Sequence, residues 1–596
     1  MDRHCNVPNS DIEIATLVDL LRLRAEQHGE RGYTFLVDGE EETVNLPYQK
    51  LDRLARAIAA RLQQLGLGGE RVVLLYPEGL EFVAAFFGCL YAGVVAVPAY
   101  PPRFGKPTPR LRAIVNDAQV MAVLTTQTIL EKQDSLLHHA PYLQELNWLV
   151  SDTISEDLAE DWRSPGVSRD TLAFLQYTSG STAIPRGVMV SHGNLMHNSA
   201  LIHRCFEHTP DSLGLTWLPP YHDMGLIGGI LQPLYGGFPV VLMSPMHFLQ
   251  KPVRWLEAIS RYQATSSGGP NFAYDLCVQK VAPEQRATLD LGSWSVAFNG
   301  AEPVRHHTIK QFSEAFAPCG FRPEAFYPCY GLAEATLLVT GGEKRLTPVA
   351  RLFGTRALGE GKGEALLSDQ AGAQMLVSSG QVADGLEAAI VDPETTIQRP
   401  SGEIGEIWVR GPSVAQGYWD RPIEARQTFQ AHLQETGKGP FLRTGDLGFL
   451  LDKNLFVTGR LKDLIIIRGR NYYPQDIELT AESSHQGLRA GCGAAFGVDI
   501  DGVERLVVVQ EVKREHRRGN TAEMLAAVRK AIFQQHQLRP YAVVLIRPTT
   551  IPKTSSGKIQ RHAARASFID GTLIIIDQWT QGQKDDEAGK TNLFNE

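Results

Sequence analysis

No CxxC pair, no G-x4-G-K-[ST] loop and no apolar run of membrane length occurs in these 596 residues, and each absence removes a class of protein. The seven cysteines (Cys5, Cys89, Cys205, Cys277, Cys319, Cys329 and Cys492) are odd in number and widely dispersed. Such a set suits neither a disulfide frame nor a zinc site; it predicts reduced, buried thiols in the cytoplasm. The longest apolar stretch, FVAAFFGCLYAGVVAV from Phe82 to Val97, contains Gly88 and Gly93. It falls short of the roughly 18 residues that span a bilayer, so a buried helix, a glycine turn and a core strand are expected, without membrane insertion. The opening residues MDRHCNVPNSDIEIATLVDLL lack the basic start and apolar run of a signal peptide. A formal net charge of −8 is small for this length and argues against nucleic acid as the main partner.

What is present is an ordinary globular composition, 43% hydrophobic and 21% charged, in a chain long enough for several packed units. Leu51, Leu54, Ile58, Leu62 and Leu65 recur at helical spacing, with Arg53, Arg56 and Arg61 off that face. GLGGE then stops the helix and RVVLLY reads as a buried strand. The same helix–strand alternation returns near 113–126 and 254–269, which predicts α/β layers with largely parallel sheets. From about 340 to 458, glycine and proline punctuate short runs such as GEIWVRG and NLFVTGR, as in a small β-rich subdomain. After GRLKD the pattern becomes α+β. The fold class is therefore α/β: a large N-terminal domain of layered subdomains plus the β-rich one over 1–458, then a small mobile α+β domain over 459–580. A polar tail over 581–596 is expected to be disordered. No internal repeat is visible.

One loop stands out. YTSGSTAIPRGV, from Tyr177 to Val188, follows the apolar segment LAFLQ and is rich in hydroxyls and small residues. Such a loop lets backbone N–H groups converge on phosphate oxygens, although taken alone it is also an ordinary surface connection. Other segments carry compatible chemistry. YGLAEAT (330–336) offers a ring, a glycine for close backbone approach and a carboxylate. RTGDLG (443–448) sets Asp446 in an expected tight turn, where its two oxygens could accept ribose hydroxyls. GRLKD supplies Arg460 and Lys462 at a domain boundary, and PKTSSGKIQR places Lys558 in a basic loop. Each segment alone is a turn or a solvated charge; the combination and order are not.

YTSGST…PRG, LPPYHDMG (218–225), NGAEPV (299–304), YGLAEAT, RTGDLG, GRLKD and SSGK, in this order, resemble the adenylate-forming superfamily of acyl-CoA synthetases, nonribosomal adenylation domains and luciferases, over nearly the whole chain. The resemblance implies attack of a carboxylate on the α-phosphorus of ATP, with pyrophosphate leaving and Mg2+ assisting. It further implies that Thr178, Ser179, Gly180, Ser181, Thr182 and Arg186 cradle the β- and γ-phosphates. Tyr330 would stack on adenine, with Gly331 beside it and Asn299, Gly300 and Ala301 lining the base pocket. Glu334 would hold magnesium, Asp446 and Arg460 the ribose, and Lys558 would bridge carboxylate and α-phosphate. His222 would sit where the acyl chain meets the nucleotide, and Lys462 would be the hinge about which the small domain swings.

The sequence departs from that pattern at Ala183 and Arg186, where the loop usually has glycine and lysine, and at Ala333, where a threonine is usual. Several details resemble the fatty acyl-AMP ligases within the superfamily: YGLAEAT, NGAEPV, PNFAYDLC (270–277), IIIRGRNYYPQDIE (465–478) and an extra segment at about 351–374. That branch passes its adenylate to the phosphopantetheine thiol of an acyl carrier protein, and the extra segment is implied to restrain the posture coenzyme A requires. The expected function is thus activation of a medium- or long-chain fatty acid and transfer to a carrier protein. An acyl-CoA synthetase and an inert acyl- or nucleotide-binding relative stay open. The basic stretch KREHRR (513–518) could touch an acidic carrier protein, though a solvated hairpin tip is the simpler expectation.

Overall fold

The computed structural model describes residues 14–100, 108–178 and 185–581, apart from 369, 371, 501, 555 and 556. The predicted early helix is Tyr48–Gln64, burying Leu51, Ile58 and Leu62, whereas Leu65 lies past its end and is exposed. The apolar run forms the helix Leu80–Ala92, buried on every side except Glu81. Gly93, at φ 67°, ends this helix in the left-handed region that glycine reaches without a Cβ clash, and the buried strand Val95–Pro98 follows.

Two large sheets organise most of the chain. In the first, Asn147–Val150, Ala122–Thr125, Arg71–Leu74, Val95–Pro98 and Leu172–Thr178 run parallel in that spatial order, and Arg186–Ser191 returns antiparallel beside the last. In the second, Phe326–Gly331, Val296–Asn299, Ser266–Gly268, Gly214–Thr216, Val240–Met243 and Gly32–Leu36 are parallel neighbours. The β-rich stretch predicted near 340–458 does not stand apart as a sheet. Its strands Leu338–Gly341, Gln381–Val382, Asn454–Arg460, Leu442–Leu451, Gly405–Arg410 and Glu387–Val391 continue the second sheet in antiparallel order. Parallel and antiparallel halves meet at Phe326–Gly331. The carboxyl ends of parallel strands in open α/β sheets are where ligands bind.

The extra segment is a structure of its own. Ala350–Gly354 pairs with Ala365–Leu366 on one side and Ala373–Val377 on the other, with the helix Thr355–Gly359 between them. Phe353, fully buried, packs its ring 5.2 Å from both Phe449 and Phe456 and so fixes this small sheet to the large one. Beyond residue 464 come a two-stranded ribbon, Ile465–Ile467 with Arg470–Tyr472, and a four-stranded sheet of Leu488–Ile500, Val503–Val512, Ala542–Ile546 and Ile575–Thr580. The stretch KREHRR is not a hairpin tip. It joins the strand Val503–Val512 to the helix Thr521–His536 through a short turn at Arg514–His516, because a helix and not an antiparallel strand follows it. Except for Gln581, the tail expected to be disordered lies outside the described residues. Among the described residues no helix is long and apolar enough to cross a membrane, and the six cysteines described are all free.

Candidate active site

Thr178, Arg186, His222, Gly300, Ala301, Tyr330, Gly331, Glu334, Asp446, Arg460, Lys462 and Lys558 all border one cleft of about 2500 Å³. Asn299, fully buried, immediately precedes Gly300 behind its wall. Ser179, Gly180, Ser181 and Thr182 lie outside the described residues, as does Ala183. Their two ends are held together: Thr178 closes the strand Leu172–Thr178 and pairs with Arg186 on the neighbouring strand.

Tyr330 donates its hydroxyl to Asp446 Oδ2 at 2.8 Å, and Arg460 Nε lies 3.0 Å from Asp446 Oδ1. Asp446 is not in the predicted tight turn. It lies within the strand Leu442–Leu451, opposite Arg460, next to a register shift between Leu447 and Gly448. Gly445 and Gly448 resemble turn residues in sequence; here Gly445 takes φ 70° within the strand, and the partner strand supplies the remaining pairing. The Asp446 carboxylate raises Arg460 above its ordinary value, outweighing the partial desolvation it meets inside the cleft. Burial is the main reason the Tyr330 hydroxyl stays protonated.

The residues expected at the base pocket have distinct local reasons. Asn271 donates through Nδ2 to Glu302 Oε1 and Pro303 O, so its Oδ1 faces Asn299 Nδ2 at 3.2 Å. That contact leaves Asn299 Oδ1 a buried acceptor without a partner among the described residues. Ala301 sits at φ 72°, a strained conformation for a non-glycine residue and one that concentrates at functional sites. Gly331 is explained by the chain itself: an added Cβ would stand 1.8 Å from Leu337 O, so its glycine is required whether or not a ligand approaches.

Glu334 accepts from Tyr418 Oη at 2.9 Å, and burial lifts its carboxyl above the usual range. Arg186 lies over the Tyr418 ring at 5.3 Å and pairs with Glu424 at 3.0 Å. His222 Nδ1 and Asp223 Oδ1 are 2.5 Å apart, and Asp223 also caps Met224 N. Burial pushes the Asp223 carboxyl up, yet His222, Lys558 and that backbone N–H together hold it below its ordinary value. Lys558 reaches the same place from the far end of the chain. Burial and the neighbouring Arg460 draw its ammonium pKa down, opposed by Asp223, Glu302 and Asp446.

Sequence reasoning missed four residues here. Asp223 was adjacent to His222 in LPPYHDMG and could have been paired with it; Glu302, in NGAEPV, likewise sat inside a recognised motif. Tyr418 carried no local signal, since its role depends on the distant Glu334. Arg110 borders the same cleft as Thr178 and Arg186, donates to Tyr177 O at 3.4 Å and is lowered by burial.

The extra segment touches the chain beyond residue 464. Its helix Thr355–Gly359 packs on Arg470–Tyr472, and the Gln374 side chain stands beside Asp476 and favours its charged form. Nearby, Arg305 and Glu482 pair at 3.5 Å. Burial raises Asp476 to about 6, with Gln374, Arg305 and Arg561 pulling down and Glu478 pushing up. Because this value exceeds the unfolded one, the stabilisation is full at low pH and is lost as pH rises through about 6. Asp476→Asn, neutral throughout, should therefore melt a few degrees (~2–5 °C) above the wild type at alkaline pH and lose that advantage in acid. Thermal melts across a pH series measure this.

A family model described as AMP-binding enzyme matches residues 21–419, and one described as Disco-interacting protein 2-like, AMP domain, matches residues 462–578. The chain belongs to the AMP-binding enzymes. It is 49% identical over 577 residues to the medium-chain-fatty-acid–[acyl-carrier-protein] ligase JamA of Moorena producens, covering 95% of this chain and 97% of that one. It is 39% identical to the long-chain-fatty-acid–AMP ligase FadD26 of Mycobacterium marinum, covering 92% and 96% respectively. Among solved structures it resembles the fatty acyl-adenylate ligase of L. pneumophila in complex with acyl adenylate and pyrophosphate. That match has a TM-score of 0.73, 42% identity and coverage of 95% and 98%.

Proposed function

We propose that this protein activates a medium- or long-chain fatty acid with ATP, releasing pyrophosphate, and passes the acyl group from AMP to the phosphopantetheine thiol of an acyl carrier protein. The observation that carries this reading is the convergence of Tyr330, Asp446, Arg460, Glu334 and Lys558 on one cleft.

A carboxylate oxygen attacks the α-phosphorus, the bond to the bridging oxygen breaks, and pyrophosphate departs with its electron pair. No protein nucleophile is needed; alignment and charge neutralisation suffice. Tyr330 offers its ring to adenine, and Asn299 Oδ1 is a free acceptor near the base. Asp446 can accept both ribose hydroxyls, since each oxygen retains a lone pair beyond those used by Tyr330 and Arg460. Arg186 and Arg110 bring positive charge to the phosphate end. Lys558 neutralises the developing charge between carboxylate and α-phosphate. His222, oriented by Asp223, stands at the junction of acyl chain and nucleotide.

Mg2+ arriving with the triphosphate would be held by Glu334. A buried carboxylate whose pKa burial has raised gains from a cation, and a single carboxylate with phosphates and water is an ordinary magnesium environment. When bound, the ion supplies charge compensation on the phosphates.

Lys462, exposed in the turn Leu461–Asp463, is the proposed hinge. Withdrawal of Lys558 about it would open the cleft to a thiol. The segment 351–374, fixed by Phe353 and touching Asp476 through Gln374, limits that swing and so disfavours coenzyme A.

Labelled fatty acid, ATP and magnesium, with coenzyme A or holo carrier protein in parallel, test the reading. Acyl-adenylate, then the acyl thioester of the carrier protein with release of AMP, is expected. Acyl-CoA as main product would overturn the acceptor, and no adenylate would leave an inert relative. The ends flanking the segment lie close together, since Ser378 N donates to Val349 O at 2.8 Å, so a short connection can replace it. The shortened protein should raise the acyl-CoA fraction about tenfold; an unchanged product ratio in a folded variant rejects the restraint.

A further inference from the structure

The cleft has an arm that the nucleotide does not need. It passes between the parallel strands and a cover made by the helix His192–Cys205 and the π-helix Met224–Leu231. Small residues line it. Gly214 and Ser266 lie on the strands, and Gly228 and Gly229 on the π-helix. A Cβ added at Gly228 would meet only Leu337 Cδ2, at 3.6 Å, an ordinary contact, so a methyl fits there and a larger side chain would enter the cleft that Gly228 lines. π-helical segments of this kind recur at functional sites.

The far end is closed by rings. His208 lies 5.4 Å from the Phe206 ring and 4.7 Å from that of Phe238, centroid to centroid. Its imidazole is buried and held from both sides, with Nε2 3.3 Å from Ser266 Oγ and Nδ1 3.3 Å from the Gln232 side-chain amide. That amide is itself satisfied when its nitrogen donates to Ser199 O at 3.1 Å and its oxygen accepts from His203 N at 3.3 Å. Burial keeps the ring neutral, at about 3. His208 is thus a fixed, uncharged wall.

We infer that His208 is the specificity-determining stop of the acyl arm and sets the longest chain the site accepts. This rests on the fatty-acid reading above. Ser266 pairs with Val296 on the neighbouring strand, and Gly300, at the nucleotide end, is four residues further along. Strand rise and spacing make that diagonal about 14 Å. An extended alkyl chain advances about 1.25 Å per carbon, given a 1.5 Å bond, so about ten to twelve carbons fit. A longer chain must push His208 aside and break both of its polar contacts, leaving the buried Ser266 hydroxyl without its His208 partner. The limit should therefore be a sharp one.

The test is kcat/KM for pyrophosphate release across saturated acids of increasing length. For the wild type, activity should fall about tenfold for each further pair of carbons beyond about twelve. His208→Ala should move that fall upward by about two to four carbons, raising the ratio of long- to medium-chain kcat/KM at least about tenfold. His208→Gln, which restores bulk and polar partners, should return the limit toward the wild-type length. Gly228→Val, which narrows the arm before its end, should lower the limit, and it supplies the test if His208→Ala does not fold. A folded His208→Ala protein with an unchanged length profile overturns the inference while the function stands, as does a Gly228→Val profile with no lowered limit. A wild type that forms adenylate from no fatty acid overturns the functional reading, and this inference with it.

Discussion

Lys558→Ala should slow acyl-adenylate formation about a thousandfold while leaving transfer from supplied acyl-adenylate within about threefold of the wild type. The split follows from where the charge is needed. During adenylation, negative charge concentrates between the attacking carboxylate and the α-phosphate, and Lys558 is the cation proposed to act there. Its counter-charges, Asp223, Glu302 and Asp446, come from three separate segments, so the ammonium is positioned by the whole cleft. During transfer the proposed swing about Lys462 removes Lys558, and its loss then changes little. Arginine should not substitute well, because its planar fork demands different geometry from an ammonium point charge. Pyrophosphate release measures the first half-reaction; single-turnover loading of holo carrier protein from premade acyl-adenylate measures the second. Equal losses in both would show that Lys558 serves the general architecture, and the proposed division of labour would fail.

Local patterns announced the helices and strands that have strong local reasons. The stripe through Leu51, Ile58 and Leu62, and the Gly93 turn between Leu80–Ala92 and Val95–Pro98, needed only periodicity and a glycine. The placement of the β-rich region was not legible that way. Short strands between glycines look the same whether they form a sheet of their own or extend another, and only long-range pairing such as Asn454–Arg460 with Gln381–Val382 decides it. Asp446 shows the same limit: two flanking glycines signal a turn, but the partner strand carrying Arg460 draws the segment into a bulged strand. At the site, residues inside ordered motifs could be proposed from resemblance. Tyr418 and Arg110 could not, because each matters only through a neighbour far away in the chain, Glu334 in one case and Thr178 with Arg186 in the other.

Asp446→Asn should raise KM for ATP by about 30- to 100-fold with a smaller change in kcat, since the ribose contacts proposed for it would serve substrate and transition state alike. Both carboxylate oxygens are already engaged, Oδ2 by Tyr330 and Oδ1 by Arg460, and each retains one further lone pair for a ribose hydroxyl. An amide turns one of those acceptors into a donor facing either the Tyr330 hydroxyl or the Arg460 guanidinium. One ribose bond and one support are lost together; hydrogen bonds to charged groups contribute about 1.5–3 kcal/mol each, which sets the size of the effect. Folding should suffer less. The Arg460 side chain is 55% exposed to the cleft, so its pairing with Asp446 is screened and adds little to stability. Initial rates against ATP concentration, with a melting curve of the same sample, separate the two consequences. A large fall in melting temperature with unchanged KM would make Asp446 a structural anchor for Tyr330 and remove it from the nucleotide site.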